Sequence, residues 1–272
     1  MKIMHRFGIT IPPGTDRQAF SDLSIDLERG GVNLHGSYFT NFEIAEDDPP
    51  CVEARQLANK FKPTELVTTK FSKSELDAAR VLYMLASTQR GYPEPSEDFG
   101  FLKATYDLSD YCAKCGLGAR QIHPFRIRFT PNLKRTIMQL NWVFDEFFVA
   151  RDVWASTFEP FGIDNWPVVS GKNRSEIESV VQLRITRQAD LELEDAGRTN
   201  CSRCGRRKNL VSFRGFAPLP VSIPGPIFKS TQYFGTGAEA FNRVYVSASL
   251  YREIKRRCLR GIQFYPCAST SR

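Results

Sequence analysis

Two short stretches, "DYCAKCGLGARQ" and "TNCSRCGRRKNL", restrict the possible folds of this chain more than any other feature. Each contains C-x-x-C-G: Cys112, Cys115 and Gly116 in the first, Cys201, Cys204 and Gly205 in the second. Two cysteines at i and i+3 on a tight turn bring both sulfurs to one side. The glycine behind them tolerates the positive φ that closes such a turn. Each turn is therefore half of a tetrahedral thiolate site. With 85 residues between Cys115 and Cys201, the halves meet only if the fold returns the chain to itself. The expectation is one closed four-cysteine site on Cys112, Cys115, Cys201 and Cys204 that holds a structural Zn2+. Such a site has no open coordination position, so it stabilises the fold and does no Lewis-acid chemistry. Two rivals stay open. One is a pair of separate sites, the first completed by His123 and the second by Cys258 or Cys267. The other is redox chemistry, which a C-x-x-C at a helix start after a strand would suggest; neither pair shows that context.

The turns open two stretches that repeat each other, and repeats are read before single motifs. After each turn comes an extended run, "WVFDEFFV" (142–149) or "RVYVS" (243–247), and then a short helical segment. Each stretch closes on G-I-x-x-aromatic-Pro, "GIDNWPV" from Gly162 and "GIQFYPC" from Gly261. In the second, Ser247 reads as a helix N-cap with Val246 and Tyr251 as its hydrophobic staple. Leu250, Ile254 and Cys258 fall on one face, and Gly261 suits the left-handed position past the helix end. Lys255, Arg256, Arg257 and Arg260 crowd the last turns, where cations complement the helix dipole; an anion-binding face is the alternative.

Ahead of the repeats, "GITI" and "GSYFTNFEIA" read as strands, with loops at "IPPGTD", "ERGGVN" and "AEDDPP". "FSKSELDAARVLYMLAS" reads as a helix opened by a Ser72/Glu75 capping box. "RGYPEPSEDFG" reads as a linker. The fold class is α+β: an N-terminal α/β region (1–108), then two related strand–helix–strand units (109–200 and 201–272) joined by a zinc-ribbon-like four-cysteine site.

Charge is unevenly placed. Residues 198–272 carry 14 Lys and Arg against two acids, whereas the whole chain nets only +7. The basic end fits a polyanion, or the acidic remainder of the chain. Arg206, Arg207 and Lys208 would be the phosphate or partner contacts, with Phe213, Phe216 and Tyr233 as stacking candidates. No run of about 18 apolar residues is present, so no membrane span is expected. Seven cysteines without a signal-like start point to reduced thiolates and a cytoplasmic location. No catalytic residue is assigned. His5, His35 and His123 form no H-E-x-x-H, "VVSGKNRS" lacks the first glycine of a phosphate loop, and there is no G-x-S-x-G.

The knuckles "CAKCG" and "CSRCG", the long stretch between them and the closing "LRGIQFYPC" resemble the double-CXXCG motif family of bacterial proteins. The resemblance covers residues 109–272, about 60 per cent of the chain. Part of that family is described as immunity proteins, which protect a cell from a toxin. The resemblance implies a non-catalytic cytoplasmic protein that binds a protein partner, with the metal-binding role on Cys112, Cys115, Cys201 and Cys204. The first hundred residues and the strongly basic second unit depart from it. A zinc-ribbon nucleic-acid-binding protein is the alternative, and an enzyme with a site not visible in sequence the third reading.

Overall fold

The computed structural model describes residues 1–15, 18–23, 37–193 and 197–268, which form a mixed α+β protein, mostly strands with few helices. No helix among them is long and apolar enough to cross a membrane. The chain divides into two compact bodies: Met1–Glu75 with Ser212–Phe216, and Leu76–Val211 with Ala217–Arg272. The sequence reading places its first boundary after residue 108; the structural division falls after Glu75.

In the smaller body, β1 (Lys2–Ile11) lies between β2 (Tyr38–Ala45) and β3 (Thr64–Lys70), antiparallel to both. A short helix, α1 (Gln18–Asp22), and a longer one, α2 (Cys51–Asn59), complete it. Alternation along β1 buries Phe7, Ile9 and Ile11 against Phe42, Phe20, Ala54 and Ala58, as a one-sided sheet requires. Residues 212–216 are fastened here. Arg214 grips the Glu46 carboxylate with both terminal nitrogens at 2.6 and 2.8 Å. The Thr69 hydroxyl donates to the Phe213 carbonyl and accepts from the Gly215 N–H. His35 and the "ERGGVN" loop signal lie outside the described residues.

The sequence predicts one helix across "FSKSELDAARVLYMLAS". The capping box forms, with Glu75 N–H donating to Ser72 Oγ and Ser72 N–H to Glu75 Oε2. The helix, α3 (Lys73–Ala78), then stops, and Val81–Ala86 is a strand, β4. Val81, Leu82, Tyr83 and Met84 are all at most 4 % exposed. A run with no polar side suits a central strand covered on both faces. Periodicity alone does not separate that from a buried helix.

The larger body continues with α4 (Phe101–Thr105), then β5 (Tyr106–Asp107) and β6 (Arg120–Gln121), which flank the first knuckle. Next come β7 (Arg126–Ile127), β8 (Phe148–Ala150) and a helical stretch that starts as α5 (Arg151–Val153) and runs through a π turn to a 3-10 turn ending at Phe161. β9 (Asn165–Ser170), β10 (Glu176–Leu183) and β11 (Gln188–Ala189) follow. β12 (Arg198–Asn200) and β13 (Arg207–Asn209) flank the second knuckle. The chain closes with β14 (Ala217–Pro218), β15 (Ile227–Phe234), β16 (Phe241–Ser247), α6 (Ala248–Arg256) and β17 (Ile262–Ala268).

Two sheets of this body share one arrangement. In the first the order is β7-β9-β10-β8; in the second, β14-β17-β4-β16 runs the same way. In each, the strand before the helix and the strand after it both pair antiparallel with a central strand. The strand after the helix also pairs parallel with a two-residue strand, β7 or β14. The registers agree. Val181 faces Val149 and Pro167, and Leu82 faces Val246 and Pro266. The helix N-cap residues, Ala150 and Ser247, face Val180 and Val81. One apolar core draws from both sheets and both helical stretches, including Leu82, Val149, Phe158, Val181, Val246, Leu250 and Ile254.

Several local expectations change. Only Phe148 and Val149 of "WVFDEFFV" are in a strand, because Trp142 turns the chain with a φ of +67°. Cys258 is exposed and sits past the end of α6 with a φ of +54°, so it is not on the apolar helix face. It takes the left-handed position assigned to Gly261. Gly261, φ +84°, comes three residues later, where a Cβ would lie 2.2 Å from the Ile137 carbonyl oxygen. "RGYPEPSEDFG" is not a loose linker: Arg90 N–H donates to Gln139 O and Glu94 N–H to Arg126 O, within the larger body.

Candidate metal centre

Each C-x-x-C-G turn is the tip of a two-strand antiparallel ladder. β5 pairs with β6, Asp107 opposite Arg120, and β12 with β13, Asn200 opposite Arg207. The turns are closed by matching bonds. Cys112 N–H donates to Leu117 O at 2.8 Å, and Cys201 N–H to Arg206 O at 2.9 Å. Gly116 N–H donates to Cys112 O and Gly205 N–H to Cys201 O, both at 2.8 Å. The glycines have φ of +79° and +71°, a conformation that costs any residue with a Cβ.

The turns face each other. Cys112 Sγ lies 3.9 Å from Cys201 Sγ, and Cys115 Sγ 3.6 Å from Cys204 Sγ. The four sulfurs are all within 4.8 Å of one another. They are far beyond disulfide length, about 2.05 Å, and all four cysteines are free. A tetrahedral ion with metal–sulfur bonds of about 2.3 Å needs sulfurs about 3.8 Å apart. The donor set therefore fits a thiophilic metal ion. His123 is exposed, Cys258 exposed and Cys267 half-buried, and none belongs to the cluster.

The surroundings favour thiolates on the second knuckle. Arg206 Nε–H donates to Cys204 Sγ at 3.4 Å and, with backbone donation, brings that thiol down to about 6. Backbone N–H groups at Cys204 and Arg203 lower Cys201. On the first knuckle, burial pushes Cys115 up to about 12. A cation among the sulfurs reverses that, since the metal-bound form is the thiolate. Cys112 and Cys115 are buried with Leu117, beside Tyr233. Cys204 is exposed, so the centre is covered on one side only.

The three cations after the second knuckle have different positions. Lys208 is 5 % exposed. Its ammonium donates to the carbonyls of Cys115, Gly237 and Glu239 at 2.9, 2.8 and 2.7 Å, which uses all three protons. Arg206 bridges to the first knuckle's flank through the Asp110 carboxylate and the Asp110 and Leu117 carbonyls. Arg207 is exposed. Thus Arg206 and Lys208 bind the two knuckles together and place positive charge beside the cluster, where it would offset that of metal-bound thiolates. Of the stacking candidates, Tyr233 packs on the cysteines. Phe213 and Phe216 belong to the smaller body, where Phe216 lies 5.3 Å from Phe71. Sequence reasoning missed the buried role of Lys208: in a run "RRK" nothing marks the third cation as internal. No family model, no curated protein and no solved structure matches this chain.

Proposed function

We propose that this is a non-catalytic binding protein of the immunity type, whose larger body is locked by one structural zinc ion on Cys112, Cys115, Cys201 and Cys204. The observation that carries the metal reading is the meeting of four sulfurs from two distant turns at tetrahedral spacing. Assembly of such a site contributes folding free energy directly. The matched registers around the two central strands support descent of the two strand–helix–strand units from one repeated unit. The toxin partner rests on the resemblance to double-CXXCG proteins; the cytoplasmic setting and the absence of catalysis rest on that resemblance together with the cysteine usage and the lack of a catalytic motif in the sequence.

One observation weighs against the nucleic-acid alternative. Lys208 and Arg206 are occupied in holding the knuckles, which leaves Arg207 alone of the three to meet a phosphate. The deciding test is growth. The product of a gene adjoining this one should arrest cells, and co-expression of this chain should rescue them. Cys201→Ser, which breaks the tetrad, should abolish the rescue. Failure to rescue from any adjoining gene product, together with DNA binding that weakens steeply with salt and is lost in Arg207→Glu, would favour the nucleic-acid reading.

A further inference from the structure

The larger body contains a cavity of about 1240 Å3, one wall of which is formed by Ala113 and Gly116 of the first knuckle and by Tyr233. Its lining includes a buried charge cluster. The Lys229 ammonium bonds to Glu146 and lies 3.3 Å from Asp145. The other oxygen of Glu146 accepts from Gln182 at 2.9 Å, and Gln182 exchanges two amide bonds with Gln121. All three charged side chains are less than one-fifth exposed. Two carboxylates share one ammonium, so with both ionised one negative charge is left over in a place where water screens it poorly. Over the whole cavity the lining carries six carboxylates against three cations; two of the six are paired, Asp107 with Arg120 and Asp110 with Arg206, which stands outside the lining.

Tyr106, Trp142, Phe144 and Trp166 line the cavity, and Trp166 already has the Arg184 guanidinium 5.3 Å over its ring. Aromatic faces attract cations, most strongly where water is excluded. At the rim, Phe99 and Trp142 are 52 % and 39 % exposed, 4.7 Å apart between ring centroids. Both have positive φ, +54° and +67°. Bulky residues rarely adopt that conformation, and strained backbone of this kind gathers at binding sites. Burial also pushes Glu146 towards its protonated form, which is the fold's other way to remove the excess charge.

We propose that this cavity binds an organic cation, an ammonium or guanidinium on an apolar stem, with the charge at Asp145 and Glu146 and the stem against Trp142 and Tyr106. The free form of such a ligand is a polyamine; the protein-borne form is a basic side chain of a partner. The inference stands apart from the metal and immunity readings.

The test is calorimetric titration of the folded full chain, with tryptophan fluorescence read alongside. Spermidine and Gly-Arg-Gly amide are the probes and glutarate the anionic control. At least one cation should bind one site per chain and change the fluorescence, and glutarate should not bind. Asp145→Asn and Trp142→Ala should each weaken binding about tenfold or more. Tighter spermidine binding identifies a free polyamine; tighter tripeptide binding identifies a partner's side chain. If Asp145→Asn does not fold, the rim variant Trp142→Ala decides alone. Absence of binding by both cations, unchanged affinity in Trp142→Ala, or equal binding of glutarate would overturn the proposal.

Discussion

In the first knuckle both cysteines are buried, and a Cβ on Gly116 would sit 2.2 Å from the Ala238 carbonyl oxygen. Around Cys201–Gly205 the chain is open, and nothing lies within 4 Å of the same point on Gly205. The closing hydrogen bonds of the two turns nonetheless match to 0.1 Å. The helical stretches that follow differ more. The second, α6, starts at Ser247, whose hydroxyl accepts from Leu250 N–H, and runs cleanly to Arg256. The first starts at Ala150, whose methyl group cannot cap it, and passes through α, π and 3-10 turns, the last with Pro160 in it, before Gly162 ends it. The strand registers next to the helix are the same in both, although β10 then slips against β9 between Glu176 and Val181, which β4 does not do against β17. Pairing with a central strand fixes a register, because a slip of one residue would turn the apolar face outward. A helix between two fixed strands is free to be regular or not, as its own residues dictate.

The central strands add a second lesson. Counted from β4 and from β10, the chain passes twice through central strand, knuckle, short strand, strand, helix and strand, with β15 inserted after the short strand in the second passage. Yet β4 sits in the sheet of the second knuckle's stretch and β10 in that of the first. Each copy lends its first strand to the other. The sharing ties the copies together independently of any metal.

The largest single-residue effect expected within this comparison is at Lys208. Lys208→Met leaves three carbonyls without their donor and should cost about 3–5 kcal/mol in urea unfolding, against about 0.5 kcal/mol or less for exposed Arg207→Ala. Equal effects would show that the ammonium does not clamp the knuckles. Next come the glycines. Gly205→Ala should cost about 1–2 kcal/mol for its left-handed backbone alone. Gly116→Ala should cost clearly more, because a carbonyl must also move; equal losses would mean the first turn is less tightly held than its packing indicates. Smaller still, Ser247→Ala should lower stability by about 1 kcal/mol, and Ala150→Ser should raise it by a few tenths if its hydroxyl finds the helix N–H groups.

The smallest effect is a pH dependence of α6. Arg256 and Arg257 hold Glu253 down from 4.5 to about 2. A depressed carboxylate stabilises the fold above its unfolded pKa, so that contribution is complete above about pH 5 and fades as pH falls towards 2. Thermal melts of wild type and Glu253→Gln should therefore differ near neutrality and converge in acid. A constant difference across that range would contradict the assignment.

The cysteine centre was legible because spacing alone specifies it: i, i+3 and glycine describe a turn, and two such turns describe a tetrahedron. The repeat was legible through Pro167 and Pro266, which occupy the same places beside their central strands; the glycines five residues ahead do not, since Gly162 ends its helical stretch while Gly261 lies past Cys258. The strand Val81–Ala86 was not, because a run apolar on every side carries no period. Nor were Lys208 and the Lys229–Glu146–Asp145 cluster, since burial of a charge depends on carbonyls and carboxylates far away in sequence: Gly237 and Glu239 for one, two residues 83 and 84 positions distant for the other.

The claim beneath all of this is that both knuckles close on one ion. Metal quantitation of the purified full chain, combined with X-ray absorption at the zinc edge, addresses it directly. The account predicts one zinc per chain with four sulfur neighbours at about 2.3 Å, lost entirely when Cys201 alone becomes serine. Two ions per chain, a first shell containing nitrogen or oxygen, or no bound transition metal would contradict it.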